Sequence, residues 1–305
     1  MGRYLLQRCI YGIASLAVLV VAVFFLARLT GNPTDLYLPA DAPQQVREEF
    51  ARMHGLSDPT SVQFVRFIGS LAHGDFGESL RQRRPAIELV GEAFPVTLKL
   101  AAAAMACVLL VAVTAGSIAA QRPNGVLDRF VSLIALTSAS IPHFWLAIVS
   151  VLVFAVSLRW VPTSGTGELK NWIMPVFVLS LRPTGIVAQV VRSSMIDALS
   201  RPYIKTARAK GLAQRQIVFV HALRNAMLPV LTVAADQAAS MVNGAVVVEI
   251  IFGFPGIGML MMNSISEREF VVLQAAVIVV AVAIFLLNLL VDIACAGLDP
   301  RIRNP

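Results

Sequence analysis

Six long apolar runs constrain this chain more than any other feature of its sequence. A helix needs about 20 residues to cross the hydrocarbon core of a bilayer. The runs cover residues 9–27, 97–120, 131–158, 172–191, 228–252 and 270–293. Hydrophobic residues make up 57% of the chain and charged residues 14%, against about 25% charged in an ordinary soluble domain. The sequence therefore predicts an all-α polytopic membrane protein with six transmembrane helices.

The charged residues predict how these helices are oriented. Lys and Arg accumulate in short loops on the cytoplasmic side, and segment 192–228 is strongly basic, with Asp197 as its acid. Arg3 and Arg8 precede the first run, and Arg301 and Arg303 follow the last. We therefore expect both termini and segment 192–228 in the cytoplasm. The first run lacks a small-residue cleavage site, so we expect it to stay as an anchor.

The net charge of +7 follows from this topology and does not indicate nucleic-acid binding. Tyr203 and Phe219 are the only Phe, Tyr or Trp residues of the basic segment, too few to form a series of stacking platforms for bases. We therefore expect the lipid bilayer, and no nucleic acid, around this chain. Cys9, Cys107 and Cys295 lie in or beside apolar runs without metal-ligand spacing. We expect them to pack as small apolar residues, and we expect no metal site.

Two polar segments have an organisation of their own. In 29–96, short helices are predicted at 42–52 and 61–71, followed by a tight turn in "HGDFGESL", which together indicate a small external cap. In 192–228, Pro202 and Gly211 mark helix boundaries. We expect a short helix, a turn at Gly211 and a second helix that returns to the membrane at 228–229. A solvated loop is the alternative, but loops of this length usually have a function.

The stretch "RSSMIDALSRPYIKTARAKGLAQRQIVFVHALRNAMLP" resembles the cytoplasmic coupling loop of ABC importer permeases of the peptide/nickel group, the oligopeptide/dipeptide permease B type. The resemblance extends over nearly the whole chain. It includes "GLSDPTSVQFVRFIGSLAHGDFGESL", "SIPHFWLAI", "WVPTSG", "GAVVVEIIFGFPGIG" and "LVDIACAGLDPRIR". It implies one transmembrane domain over 1–305 in the bacterial inner membrane, with an external cap at about 29–96 and a coupling loop at about 192–228.

The resemblance also implies that the short helix of the loop fits a groove on a separate ATPase subunit. The residues implied in this coupling are Tyr203, Lys205, Thr206, Ala207, Arg208, Ala209, Lys210 and Gly211. Lys205, Thr206 and Ala207 stand where the wider importer class has Glu-Ala-Ala. A contact made by that glutamate therefore cannot be transferred to this chain.

The implied assembly contains a second homologous permease, two ATP-binding subunits and an extracytoplasmic solute-binding protein. The chain has no G-x-x-x-x-G-K-[ST] phosphate loop. We therefore expect ATP and Mg on the partner subunits, no cofactor in this chain and no enzymatic activity. Alternating access of a short peptide or peptide-like solute is the implied mechanism. A nickel or metallophore complex is the alternative cargo, and a self-sufficient channel or proton-coupled carrier is the alternative of another class.

Polar residues inside the apolar runs are candidates for a substrate pathway, because they are costly in lipid. Asp236, Ser240 and Asn243 lie on one face of the fifth predicted span. That face either lines the pathway or packs closely on another helix. Arg182, before Pro183 in the fourth span, either faces a cavity or marks a kink.

Three acidic residues are candidates for the outer side of the protein. The resemblance implies that Glu249 belongs to an external gate. Asp75 and Glu78 lie in the external cap, where they either contact a docking solute-binding protein or are solvated acids of a turn. We expect His143, in the third span, to be a hydrogen-bonded packing residue rather than a metal ligand.

Overall fold

The computed structural model describes residues 2–29, 38, 42–53, 55, 57–79 and 81–298. The predicted basic tail with Arg301 and Arg303 lies outside the described residues. The helices are α1 (Gly2–Leu29), α2 (Gln44–Met53), α3 (Thr60–Ala72), α4 (Ala86–Ala119), α5 (Val126–Ser140), α6 (His143–Ser150), α7 (Leu169–Ser200), α8 (Pro202–Ala209), α9 (Gln214–Gln216), α10 (Leu223–Phe252), α11 (Ile257–Ser266) and α12 (Phe270–Leu298). Two π-helical segments, π1 (Val151–Ser157) and π2 (Ile217–Ala222), extend α6 and α9, and strands β1 (Glu78–Ser79) and β2 (Arg84–Pro85) form an antiparallel hairpin.

Five helical stretches are long and apolar enough to cross a membrane. They are Leu6–Arg28, Ala86–Ala119, Leu169–Ser200, Gln214–Phe252 and Phe270–Ile293. The third predicted span is a broken pair, in which α5 and the α6–π1 stretch meet at an angle of 102°. Pro142 lacks a backbone donor and disfavours helical geometry at Ile141, which is extended, with ψ of 121°. The described chain thus has six spans if this bent pair counts as one.

One compact unit is built around Val96–Phe254. In it, α7 packs against both α5 and α10. Helices α5 and α7 approach each other closely at small residues. A Cβ atom added to Gly185 of α7 would lie only 2.9 Å from the Cα atom of Ala135 of α5. Such small contact residues are typical of membrane helices, which gain their packing energy from close approach.

A second compact unit contains Leu6–Pro95 and Pro255–Phe285. The buried ring of Phe24 packs against Phe64 of α3, with ring centroids 5.1 Å apart. The hairpin is held by Glu269, whose carboxylate accepts hydrogen bonds from the Ser79 hydroxyl at 2.8 and 2.9 Å and from the Arg81 amide at 2.8 Å. Helices α2 and α3 confirm the two short helices predicted in this segment, whereas the hairpin was not predicted.

The basic segment after α7 confirms the predicted boundaries at Pro202 and Gly211. Helix α7 ends at Ser200, α8 begins at Pro202, and Gly211 adopts φ of +76°. The helix after this turn continues into the fifth span, because one helical stretch of 39 residues runs through Gln214–Phe252 with Pro229 inside it. Membrane helices tolerate such prolines where neighbouring groups satisfy the freed carbonyl.

Candidate functional site

A cavity of about 400 Å³ lies among α6, α7 and α10. Its volume falls within the range of roughly 300–1,000 Å³ that is typical of small-molecule pockets. The lining residues are His143, Leu179, Arg182, Pro183, Ile186, Gln237, Ser240, Met241, Asn243 and Gly244. Half of this set is polar, and the rest supplies apolar walls and one glycine.

Helical spacing brings these side chains to a common face. The α7 residues Leu179, Arg182 and Ile186 follow the i, i+3, i+7 pattern, and the α10 residues Gln237, Ser240 and Gly244 repeat it. His143 forms the α6 side of the cavity. Its position depends on the bend between α5 and α6, because Pro142 breaks the span and His143 is the first residue of α6.

Gly244 keeps the cavity open beside the imidazole. A Cβ atom at this position would lie 3.3 Å from Cδ1 of Leu179 and 4.0 Å from Nε2 of His143. Both distances are ordinary or tight van der Waals contacts, so any side chain here would occupy the space between α7 and α6. The glycine therefore sets the width of the cavity at this point.

The cavity unites three of the four residues that the sequence singled out for a pathway. Arg182, Ser240 and Asn243 line it together. Asp236 is exposed and is not a lining residue; its Oδ2 accepts a hydrogen bond from Nε2 of Gln237 at 3.1 Å. The sequence analysis missed Gln237 and expected His143 to be a packing residue. The 237/240/244 spacing was available as a signal for Gln237, whereas the position of His143 depends on tertiary packing.

Arg182 carries the formal charge of the cavity lining. Its side chain is exposed. Among the residues that the structure describes, it takes part in none of the ion pairs, which join other arginines to carboxylates. Its guanidinium group is therefore available to a ligand that enters the cavity.

A buried ion pair fixes α5 to α7. Nε and Nη2 of Arg192 both donate to the carboxylate of Asp128, the latter at 2.7 Å. The second carboxylate oxygen also accepts from the Asn124 amide at 2.7 Å. The Asp128 side chain is only 3% exposed, so these donors replace the water that the charge loses.

Helix α8 buries one face and exposes the other. Ile204 and Ala207 are buried, whereas Tyr203, Lys205, Thr206, Arg208, Ala209 and Lys210 are exposed. Arg201 immediately precedes the helix, and its guanidinium group donates a hydrogen bond to the Asp197 carboxylate at 2.8 Å. This carboxylate raises the pKa of Arg201. The Leu212 amide closes the turn onto the Ala207 carbonyl at 3.3 Å.

Glu249 is fully buried near the end of α10. One carboxylate oxygen accepts a hydrogen bond from the Thr97 hydroxyl of α4 at 2.6 Å. The helix then ends at Gly253, which adopts φ of +65°, a left-handed conformation that glycine adopts without strain. Glu249 thus ties the end of α10 to α4.

Asp75 and Glu78 are both exposed in the turn and hairpin of the second unit. Oδ1 of Asp75 accepts a hydrogen bond from the Gly77 amide at 2.9 Å. Glu78 pairs with Pro85 in the hairpin register. Both residues belong to the second compact unit, and Glu249 belongs to the first.

Residues 112–304 match the family model described as the binding-protein-dependent transport system inner membrane component. The chain is 38% identical to the oligopeptide transport system permease protein OppB of Salmonella typhimurium, over 99% of this chain and 100% of that protein. It is 34% identical to the oligopeptide permease AppB of Bacillus subtilis, with the same coverage. It is 36% identical to the glutathione permease GsiC of Escherichia coli K12, over 99% of each chain.

Two solved structures share the fold. The inward-facing MetNI methionine ABC transporter superposes with a TM-score of 0.58 at 16% identity, over 70% of this chain and 97% of that chain. An amino acid ABC transporter gives a TM-score of 0.51 at 16% identity, over 70% and 94% of the two chains. The class so defined is the helical, multi-pass membrane component of a transporter. The chain belongs to the family of binding-protein-dependent transport system inner membrane components. It is a transport subunit of an ABC system, in which the ATPase activity lies in partner subunits.

Proposed function

We propose that this chain forms half of the translocation pathway of an ATP-driven importer for short peptides or peptide-like solutes. The continuous helix over Gln214–Phe252 is the observation that carries the proposal. Its first residues follow the turn at Gly211, and its middle supplies Gln237, Ser240 and Asn243 to the cavity. One continuous helical stretch thus joins the basic segment to a ligand-sized space.

The exposed face of α8 is the surface that contacts the ATPase. Tyr203, Lys205, Thr206, Arg208, Ala209 and Lys210 form it, with Gly211 at its end. The buried side chains of Ile204 and Ala207 anchor the opposite face of the helix in the protein. A helix fixed in this way transmits a rigid-body displacement, which a flexible loop does not. Segment 192–228 is therefore the coupling loop of the domain 1–305.

The complete importer contains a second homologous permease, two ATP-binding subunits that hold ATP and Mg, and an extracytoplasmic solute-binding protein. Both termini and the coupling loop face the cytoplasm, as the basic residues beside the spans favour. ATP binding closes the ATPase pair, the coupling loops move, and the pathway opens outward. Hydrolysis resets the cycle.

The outer side of the chain receives the loaded binding protein. The cap at about 29–96 carries Asp75 and Glu78 as exposed acids for this contact. Glu249 holds the outer end of α10 against Thr97 and so stabilises the external gate. Peptide cargo is favoured over a nickel complex because the similar permeases named above carry oligopeptide or glutathione in their names.

Co-purification followed by reconstitution tests the proposal. The tagged chain is extracted from its host, its partners are identified by mass spectrometry, and the complex is placed in liposomes with its binding protein. We expect a second permease and ATPases, and peptide uptake that requires ATP. Recovery of the chain alone, with solute movement that needs no ATP, would instead support a channel or carrier.

A further inference from the structure

The charge of the cavity lining favours a ligand of opposite charge. Arg182 contributes a guanidinium group, whose N–H donors are arranged in a fixed fork. Asn243 and Ser240 add neutral hydrogen-bonding groups, and no lining residue is an acid. Asp236, the nearby acid of α10, is exposed and is not a lining residue; its Oδ2 accepts a hydrogen bond from Nε2 of Gln237. An anionic group is therefore the partner that this lining fits.

From this arrangement we propose that the cavity binds the C-terminal carboxylate of the transported peptide, with Arg182 as its counter-ion. The proposal rests on the function proposed above and adds a chemical selectivity to it. A guanidinium group matches a carboxylate through two parallel N–H···O bonds. A cationic amino terminus would be repelled at the same place, so the peptide enters the site with its carboxylate towards α7.

The rest of the cavity accommodates the last side chain of the peptide. Leu179, Ile186 and Met241 provide apolar walls beside the polar group. Gly244 leaves space between Leu179 and His143. The site therefore binds the C-terminal carboxylate, which all unmodified peptides share, and tolerates different apolar side chains on the last residue.

Photo-crosslinking tests this proposal on the purified complex. The probe is Ala-Ala-photoleucine, whose diazirine marks neighbouring residues, compared with the same peptide bearing a C-terminal amide. Both are applied below saturation to the ATP-free and the vanadate-trapped complex without binding protein, and labelled sites are mapped by mass spectrometry. We expect the free acid to label the cavity segments of α7 and α10 about tenfold more than the amide, as the loss of a charge-assisted hydrogen-bonded pair implies.

Variants of the complex separate the charge from the shape of the site. Arg182→Gln should label equally with acid and amide, whereas Arg182→Lys should keep a preference for the acid. Arg122→Gln, an exposed arginine outside the cavity, serves as the matched control and should behave like the unmodified complex.

Two outcomes would overturn the proposal, and both are measured on the unmodified complex. One is equal labelling by acid and amide; the other is no labelling of the cavity in either state. ATP-dependent peptide uptake by the same complex is measured separately. If peptide uptake is intact but either labelling outcome is found, only the carboxylate site is rejected. If uptake is absent, the proposed function is rejected.

Discussion

Arg192 of α7 donates two hydrogen bonds to the carboxylate of Asp128 of α5, although 64 residues separate them in sequence. The carboxylate is 3% exposed and the guanidinium side chain 27% exposed. The pair therefore lies where Coulomb attraction is weakly screened, and it fixes α5 to the end of α7 that precedes the proposed coupling helix α8.

Loss of the Arg192 side chain should destabilise the subunit. Arg192→Gln leaves the buried carboxylate without its charged donor, which costs about 1.5–3 kcal/mol. Thermal unfolding in detergent, followed by size-exclusion chromatography, should show a lower midpoint. Asp128→Asn added to Arg192→Gln should cost less than the sum of the two single changes. Strict additivity would mean that the two side chains are not energetically coupled.

Gly211 should be required for its backbone conformation. A residue with a Cβ atom pays about 1–2 kcal/mol in the left-handed region, and Gly211 adopts φ of +76°. Gly211→Val should therefore deform the turn after α8 and uncouple ATP hydrolysis from uptake. Uptake and phosphate release by the reconstituted complex are the measurements.

Gly211→Asn is the matched control for this turn, since asparagine tolerates the left-handed region. Apart from the two neighbouring residues, no described part of the chain has an atom within 4 Å of a Cβ built at Gly211. Asparagine should therefore preserve coupling. If both variants uncouple, the cause is a side chain that obstructs the ATPase surface. Normal uptake by the valine variant would reject the role of the turn.

Thr97 should stabilise the buried carboxylate of Glu249 through its hydroxyl. Thr97→Val keeps the shape but removes the donor at 2.6 Å, with an expected loss of about 1–3 kcal/mol. The thermal midpoint should fall for valine and remain close to the original for Thr97→Ser, which keeps the hydroxyl. Equal stability of the valine and serine variants would show that the other contacts of Glu249 suffice.

Gly185 should be intolerant of a single methyl group. An added Cβ atom would lie 2.9 Å from the Cα atom of Ala135 and would also meet the Ser138 hydroxyl. Gly185→Ala should separate α5 from α7 and cost about 1–3 kcal/mol. In contrast, such a Cβ at Gly91 of α4 would meet no atom within 4 Å among the described residues, apart from the adjacent backbone of its own helix. Gly91→Ala should leave the midpoint unchanged or raise it, because alanine favours helix by about 0.5–1 kcal/mol.

The helices were predictable from sequence because apolar runs and glycine or proline boundaries are local features. Pro202 and Gly211 marked α8 correctly, and the spacing in 61–71 indicated α3. Pro142 was visible as well, but the apolar residues on both sides of it concealed the bend, because hydrophobicity alone does not report chain direction.

The contacts that complete the sites were not predictable. Ser79 and Glu269 are 190 residues apart, and nothing near either residue indicates its partner. His143 lines the cavity only because α6 packs beside α7 and α10. Asp236 shares a helix with the lining residues Gln237, Ser240 and Asn243, but it is exposed and does not itself line the cavity.

The length of the helix over Gln214–Phe252 has a mechanical consequence. At 1.5 Å per residue, its 39 residues form a rod about 58 Å long, roughly twice the thickness of the hydrocarbon core. If such a rod pivots at one end, each degree of tilt displaces the other end by about 1 Å. A tilt of a few degrees about the end near Gly211 would thus move the end near Glu249 by about the length of a side chain.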